Sequence, residues 1–343
     1  MKCKKILTAL LAAACTMSGC HGDLDIMQDN KLSASNMWID ESDAETATYG
    51  IYLYMRDALK SVHDIYLCWG EFRNGLWGAG TNKTLSGVDQ TQVRTSTMSS
   101  SNAYADWSVM YKTVNQANLI LKHVPEMGIS ESVRNFSLGN AYFSRAWCYF
   151  WIARIWGDAP LALTGYESTG GDLYLPRAPK AEIFARIESD LTEAERYVTD
   201  NSDKAVATPA AVQMLKADYA LWMYRVAGGG SSYLTMAEKA IEALNLSASR
   251  LESDYAQVFS SANKLNKEVI FAVHQANGEA VNGPGYYLGW NSNYVEAAYQ
   301  NNPVPITGGN QWWWYTDRYK ALLTSVEGDT RTKLTYNRAD YGT

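Results

Sequence analysis

Two stretches of this chain concentrate residues that could recognise a ligand. The first is Trp69-Gly70-Glu71-Phe72-Arg73-Asn74-Gly75-Leu76-Trp77-Gly78-Ala79-Gly80-Thr81-Asn82. The second runs from Asn277 through Tyr286, Tyr287, Trp290, Asn291 and Tyr294 to Gln311-Trp312-Trp313-Trp314-Tyr315. Both interleave aromatic rings with Asn, Gln and Gly. A pyranose offers a patch of C–H groups that lies flat on an indole or phenol ring. Its hydroxyls need side chains that both donate and accept, as amides do. On composition, Asn74, Trp77, Asn82, Tyr286, Trp290, Asn291 and Trp313 are the candidate glycan-binding residues. The competing role for any one of these rings is to pack its loop onto the body of the protein.

Other chemistries find less support. Stacking on nucleic-acid bases needs a basic groove. Arg73 is the one basic residue between Trp69 and Asn82, and 277–315 contains none. The whole chain is acidic, net −6, so nucleic acid is not an expected partner. There is no phosphate-binding glycine loop, no dinucleotide fingerprint, no Gly-x-Ser-x-Gly elbow and no His-Glu-x-x-His. Glycosidases need two carboxylates flanking the scissile bond. Glu71, Asp89, Glu279 and Glu296 are available, yet no local spacing pairs them. No catalytic residue, cofactor or metal site is predicted. His21, His63, His123 and His274 are scattered singly.

The elements that must position these loops are helical. The central one is Asn140 to Trp156, which is apolar on nearly every face and so must be buried on all sides. Arg145 and Arg154 interrupt it, and it is too short to span a bilayer. Gly157 provides a left-handed stop and Pro160 prevents resumption. With its lead-in, this helix is expected over about Ser132–Trp156. A first helix is predicted from a capping box at Ser42-x-x-Glu45 to about Lys60, with Ala44, Ala47, Ile51, Tyr54, Met55 and Ala58 buried. A second is predicted over about Ala103–Val124, with Asn118 on its apolar face, where a buried amide more often bonds a loop backbone than a ligand. Another opens at Pro179. The next starts at the N-cap Thr208 and carries Ala211, Met214, Leu215, Ala217, Ala220, Leu221 and Tyr224. Its partner, Leu234–Leu246, buries Ala237, Ala240, Ile241 and Leu244. A short strand is expected at Val269–Val273. Between Ser61 and Asn102 a long loop is expected, and loops of that length are usually functional.

The N-terminus reads as an address. Met1-Lys2-Cys3-Lys4-Lys5 is a basic lead, Ile6–Met17 is apolar, and Ser18-Gly19-Cys20 resembles a lipobox. Residues 1–19 are expected to be removed and Cys20 lipidated, followed by a tether and extended lead-in over 20–41. Removing Lys2, Lys4 and Lys5 from the 30 basic residues leaves 27 against 36 acidic, a net −9. Cys148 is expected to be a core thiol. A Cys68–Cys148 disulfide is left open by the sequence.

The order of these features resembles the SusD-like (RagB/SusD) family. The residues that carry the resemblance are Ala141, Arg145, Ala146, Tyr149 and Phe150, closed by Trp156-Gly157-Asp158-Ala159-Pro160-Leu161. Further parts are the lipobox, Leu24-Asp25-Ile26 through Ser33, the spacing Trp107…Tyr111…Asn118, Leu175-Pro176-Arg177-Ala178, and Asp329-Thr330-Arg331. The resemblance implies an all-α fold of TPR-like helix pairs in a right-handed superhelical scaffold, with long irregular loops and minor β structure. It implies one such domain over 42–343, short of a C-terminal portion that family members carry. It also implies a glycan-binding lipoprotein on the outer membrane, facing the cell exterior, partnered by a SusC-like TonB-dependent transporter. The family's sugar-binding residues have no portable motif, so the loop residues named above rest on composition. The alternatives are a lipid-anchored scaffold that binds only protein, and a glycoside hydrolase.

Overall fold

The structure, a computed structural model, describes residues 37–79, 88–171, 173–276, 278, 313–329 and 331–332. The chain divides into two units, residues 1–39 and residues 40–343. In the first, only 37–39 are described, as bends. Cys20 and the tether lie outside the described residues.

The second unit is built of helices. α1 (Glu41–Trp69) is capped by Asp40, whose carboxylate accepts from the Asp43 N–H while Asp43 answers the Asp40 N–H. The capping box therefore sits two residues before the expected Ser42/Glu45 pair. Two acidic groups in its first turn complement the helix dipole. The helix also runs past the expected stop at Lys60. Its backbone is distorted there, with φ of 43° at Val62 and 61° at Asp64, and it continues to Trp69. The long loop expected from Ser61 is thus largely structured: a 3-10 turn at Glu71–Arg73, strand β1 (Trp77–Ala79), helix α2 (Val88–Thr95) and a 3-10 turn at Ala103–Ala105.

α3 (Ser108–His123) and α4 (Glu131–Trp156) follow. α4 is capped by Ser130, whose hydroxyl accepts from Val133 N. Its C-terminal Gly157 has φ 71°, the positive value only glycine adopts at no cost. Strands β2 (Ala159–Pro160) and β3 (Arg177–Ala178) pair antiparallel. They return the chain to α5 (Lys180–Tyr197). Pro179 at the head of α5 has no side-chain acceptor to offer. Asp158 supplies one from 22 residues away, its Oδ1 accepting from Lys180 N at 2.8 Å. α6 (Pro209–Arg225) is capped by Thr208 as expected, Oγ1 accepting from Ala211 N at 3.1 Å. α7 (Ser232–Ala243) pairs with it, and the short α8 (Tyr255–Val258) comes next. β4 (Trp313–Tyr315) and α9 (Asp317–Leu323) complete the described elements. The expected strand at Val269–Val273 is absent: the segment is irregular, with Phe271 packed 5.4 Å from Phe143.

α4 is the centre of the core. Phe143, Ala146, Cys148, Tyr149, Phe150 and Ile152 are all buried, and α1, α3 and α5 pack against it. Where α1 crosses α4, the hydroxyls of Thr48 and Ser137 lie 3.0 Å apart. Cys68 and Cys148 are both free, buried thiols in separate clusters, so the disulfide option is withdrawn. Burial raises both thiols well above their usual range. Tyr54, Met214, Leu221, Tyr224 and Ile241, expected inside, are exposed. Apolar residues surround α6 on every side, so periodicity alone could not select its inward face.

Candidate functional site

The two aromatic stretches meet. β1 pairs antiparallel with β4 in the register Trp77↔Tyr315, Gly78↔Trp314 and Ala79↔Trp313. Thr316 extends the ladder by donating its backbone N–H to the Leu76 carbonyl at 2.9 Å. Its hydroxyl, which caps α9 by accepting from Tyr319 N, also donates to Leu76 O at 3.0 Å. One residue thus joins strand pairing to helix start, and that places Tyr319 beside the strand pair.

The product is a cluster of rings. Trp77 lies 4.6 Å from Tyr315 between centroids, at 61°, and 6.3 Å from Tyr319. Tyr315 and Tyr319 are 4.8 Å apart at 79°. Below them Phe72, fully buried, meets Trp77 edge-on at 5.2 Å. Trp77, Tyr315 and Tyr319 are half-buried, so none is sealed in the core. Such edge-to-face contacts fix ring orientation as well as position. Burial, and then the neighbouring Tyr319, raise the Tyr315 hydroxyl above its ordinary range. It therefore stays a neutral donor and acceptor, the form that suits sugar hydroxyls.

Asn74 is exposed beside this cluster. Its Oδ1 accepts from Leu76 N at 2.8 Å, a side-chain turn that shapes the approach to β1. Its Nδ2 donates to Glu71 at 3.4 Å. For Trp313 only the backbone is described, and it sits in β4 next to the cluster. Asn82, Tyr286, Trp290 and Asn291 lie outside the described residues.

Several residues singled out by sequence have packing roles. Trp69, read as a loop residue, ends α1 and lies between Trp151 at 5.9 Å and Trp156 at 5.3 Å. Its indole N–H donates to Tyr104 O at 2.8 Å. Asn118 bonds a loop backbone, its Nδ2 donating to Ala162 O at 3.0 Å and Thr164 O at 3.3 Å. Of the candidate carboxylates, Glu71 braces Asn74, and Asp89 accepts from Ala103 N at 3.3 Å. Glu279 and Glu296 lie outside the described residues. No group of His, Cys, Asp and Glu among the described residues could hold a metal ion. No helix among them is long and apolar enough to cross a membrane. Tyr315 and Tyr319 were not among the candidate residues named from the sequence. Only their pairing with Trp77, from about 240 positions away in sequence, reveals them.

Comparison with known proteins points to one family. Residues 79–222 match the SusD-like family profile described as "Starch-binding associating with outer membrane". A SusD superfamily protein from Bacteroides fragilis superposes with a TM-score of 0.71 at 25% identity, over 86% of this chain and 63% of that one. Over this region the chain is similar to the SusD-like family. Among curated proteins, the chain is 26% identical over 190 residues to SusD-like protein P38 of Formosa agariphila. That match covers 55% of the chain and 36% of the relative. The chain thus matches about a third of the length of such curated relatives. A protein named as a laminarin-binding SusD-like protein shares the fold, with a TM-score of 0.57 at 18% identity, over 68% of this chain and 51% of that one.

Proposed function

We propose that this SusD-like chain binds oligosaccharide at the aromatic surface formed by Trp77, Tyr315 and Tyr319. The flanking stretches that carry Asn82, Tyr286, Trp290, Asn291 and Trp313 supply the remaining contacts. The observation that carries this reading is the β1–β4 register, which sets Trp77 directly opposite Tyr315. Rings held by one another and partly exposed offer a preorganised platform on which a pyranose can lie flat. The family description and the laminarin-binding neighbour are in keeping with a neutral glucan, although the neighbour's ligand is its own.

In this reading the chain captures and does not cleave. It is held by lipid on Cys20 at the outer face of the outer membrane and delivers ligand to a SusC-like TonB-dependent transporter. Support for the anchor comes from the lipobox pattern, and for the transporter from the family resemblance. Two or more acyl chains would suffice for stable anchoring without a spanning helix.

The test is a glycan array on the chain from residue 21 onward, followed by calorimetry on the best ligand. Trp77→Ala is expected to weaken binding by about 5- to 30-fold, the loss of one aromatic contact of about 1–2 kcal/mol. Absence of binding to any glycan would leave the anchored protein-binding scaffold. Release of reducing ends would support the hydrolase.

A further inference from the structure

A cleft of about 290 Å³ opens on the helical body, sharing no residue with the aromatic loop surface. Its size is near the lower bound of small-molecule sites, about 300 Å³. Glu45 and Tyr49, one turn apart on α1, form one wall, and Asn135 and Phe136 of α4 form another. Asp200, just beyond α5, stands at the rim. The rings of Tyr49 and Phe136 lie 5.8 Å apart at 54°, and Tyr49 is 55% exposed. The base is Asn140, whose amide is already satisfied. Its Oδ1 accepts from Ala207 N at 3.0 Å and from the Tyr52 hydroxyl, and its Nδ2 donates to Phe136 O at 2.7 Å.

The charge of the cleft is one-sided. Glu45 and Asp200 line it, and no Lys, Arg or His does. The neighbouring cations are committed elsewhere. Arg134 donates through Nη2 to the carbonyls of Met127 at 2.9 Å and Ile129 at 3.2 Å. Arg196 lies 5.1 Å over Tyr197 and pairs with Glu193 at 3.6 Å. Asp200 accepts from the Ser202 hydroxyl at 2.7 Å and its N–H at 2.8 Å, neutral donors that hold it ionised without cancelling its charge. Among the described residues no ion pair reaches Glu45 or Asp200.

Anions are repelled from such a site. A neutral ring could hydrogen-bond the carboxylates through its hydroxyls but would leave their charge unpaired. A cation gains twice, from aromatic faces and from charge-assisted hydrogen bonds. We propose that this cleft is a second ligand site that takes the ammonium group of a small organic cation, seated against Tyr49 and Phe136 and paired with Glu45 and Asp200.

Calorimetry on the full chain with three probes tests this: glucosamine, lysinamide and N-acetylglucosamine. The first two carry a primary ammonium, one on a sugar ring and one on an alkyl chain. The third keeps the sugar ring without the charge. At least one amine is expected to bind saturably, while N-acetylglucosamine does not bind at the same concentration. Glu45→Gln and Tyr49→Ala, both at exposed positions, should each raise its Kd about fivefold, and Trp77→Ala should leave it unchanged. Which amine binds identifies the framework that carries the charge. The proposal is overturned if neither amine binds, if N-acetylglucosamine binds equally well, if Glu45→Gln and Tyr49→Ala leave Kd unaltered, or if Trp77→Ala weakens the amine instead.

Discussion

Arg145 grips both carboxylate oxygens of Asp190, with Nε 2.8 Å from Oδ2 and Nη2 2.7 Å from Oδ1, and the two side chains are only 5% and 0% exposed. The guanidinium has a third role. Its Nη1 donates to Asn118 Oδ1 at 2.8 Å, and Asn118 in turn holds the carbonyls of Ala162 and Thr164. A single arginine on the central helix thus links α5, α3 and the loop after β2. Removing one partner strands a buried charge, at a cost of about 3–5 kcal/mol. Asp190→Ala should therefore destabilise by that amount in urea unfolding. Arg145→Met combined with Asp190→Leu should cost clearly less, because neither charge is then left behind. Equal losses would mean that the pair's own attraction matters more than the stranded charge.

The same loop is tied down further along by Glu167, which accepts from Lys122 Nζ at 2.9 Å and contacts His123 Nε2. Hydrogen bonds from Lys122, then His123, lower its carboxyl below the usual value. A lowered acid stabilises the fold where it is ionised. The contribution is full above the unfolded value of about 4.3 and is lost as pH falls through the folded one. Glu167→Gln should melt below the parent at about pH 6, and the difference should shrink as pH falls below about 4.3. A gap independent of pH would remove the charge from the explanation.

Helix crossings depend on small residues, and Gly139 is the tightest on α4. A Cβ there would lie 2.7 Å from Val198 Cγ2 and 3.1 Å from Val198 N. Inside a helix, alanine normally gains up to about 1 kcal/mol over glycine. Here the collision with the Val198 side chain, with backbone close behind it, should reverse the sign. Gly139→Ala is expected to lose about 1–3 kcal/mol, and Gly139→Ala with Val198→Ala should recover part of it, as read by thermal unfolding.

The helical body could be read from the sequence because its signals are local. Thr208 announces α6 and Gly157 ends α4, each through a bond or a dihedral within a few residues. What could not be read depends on distant partners. Asp158 looks like part of a turn, yet it caps α5 across the β2–β3 return. Trp69 looks like a loop ring until Trp151 and Trp156 are set beside it. The candidate site divides the same way. Composition named Trp77 as a candidate, while Tyr315 and Tyr319 join it through a strand pair closed across most of the chain, which no local pattern encodes. Tyr54 and Leu221 show the converse limit: an apolar residue in a helix is not evidence of an inward face when its neighbours are apolar all round.

The ring cluster makes a final prediction about how binding and stability divide. Trp77 and Tyr315 are cross-strand partners with centroids 4.6 Å apart, so their contact should appear as a coupling of about 0.5–1.5 kcal/mol in a double-mutant cycle on unfolding. If the pair also forms the sugar platform, each single alanine variant should weaken glycan binding beyond its loss of stability, and the double variant should bind no more weakly than the worse single one. That pattern is expected because a platform of two rings fails when either is removed. Trp69→Ala provides the contrast. Its ring lies between Trp151 and Trp156 and is partly buried, so it should unfold more readily, by about 2–3 kcal/mol, while its folded fraction keeps the parent's glycan affinity. Affinity lost at Trp69 and retained at Trp77 would move the binding surface from the strand pair to the helical body.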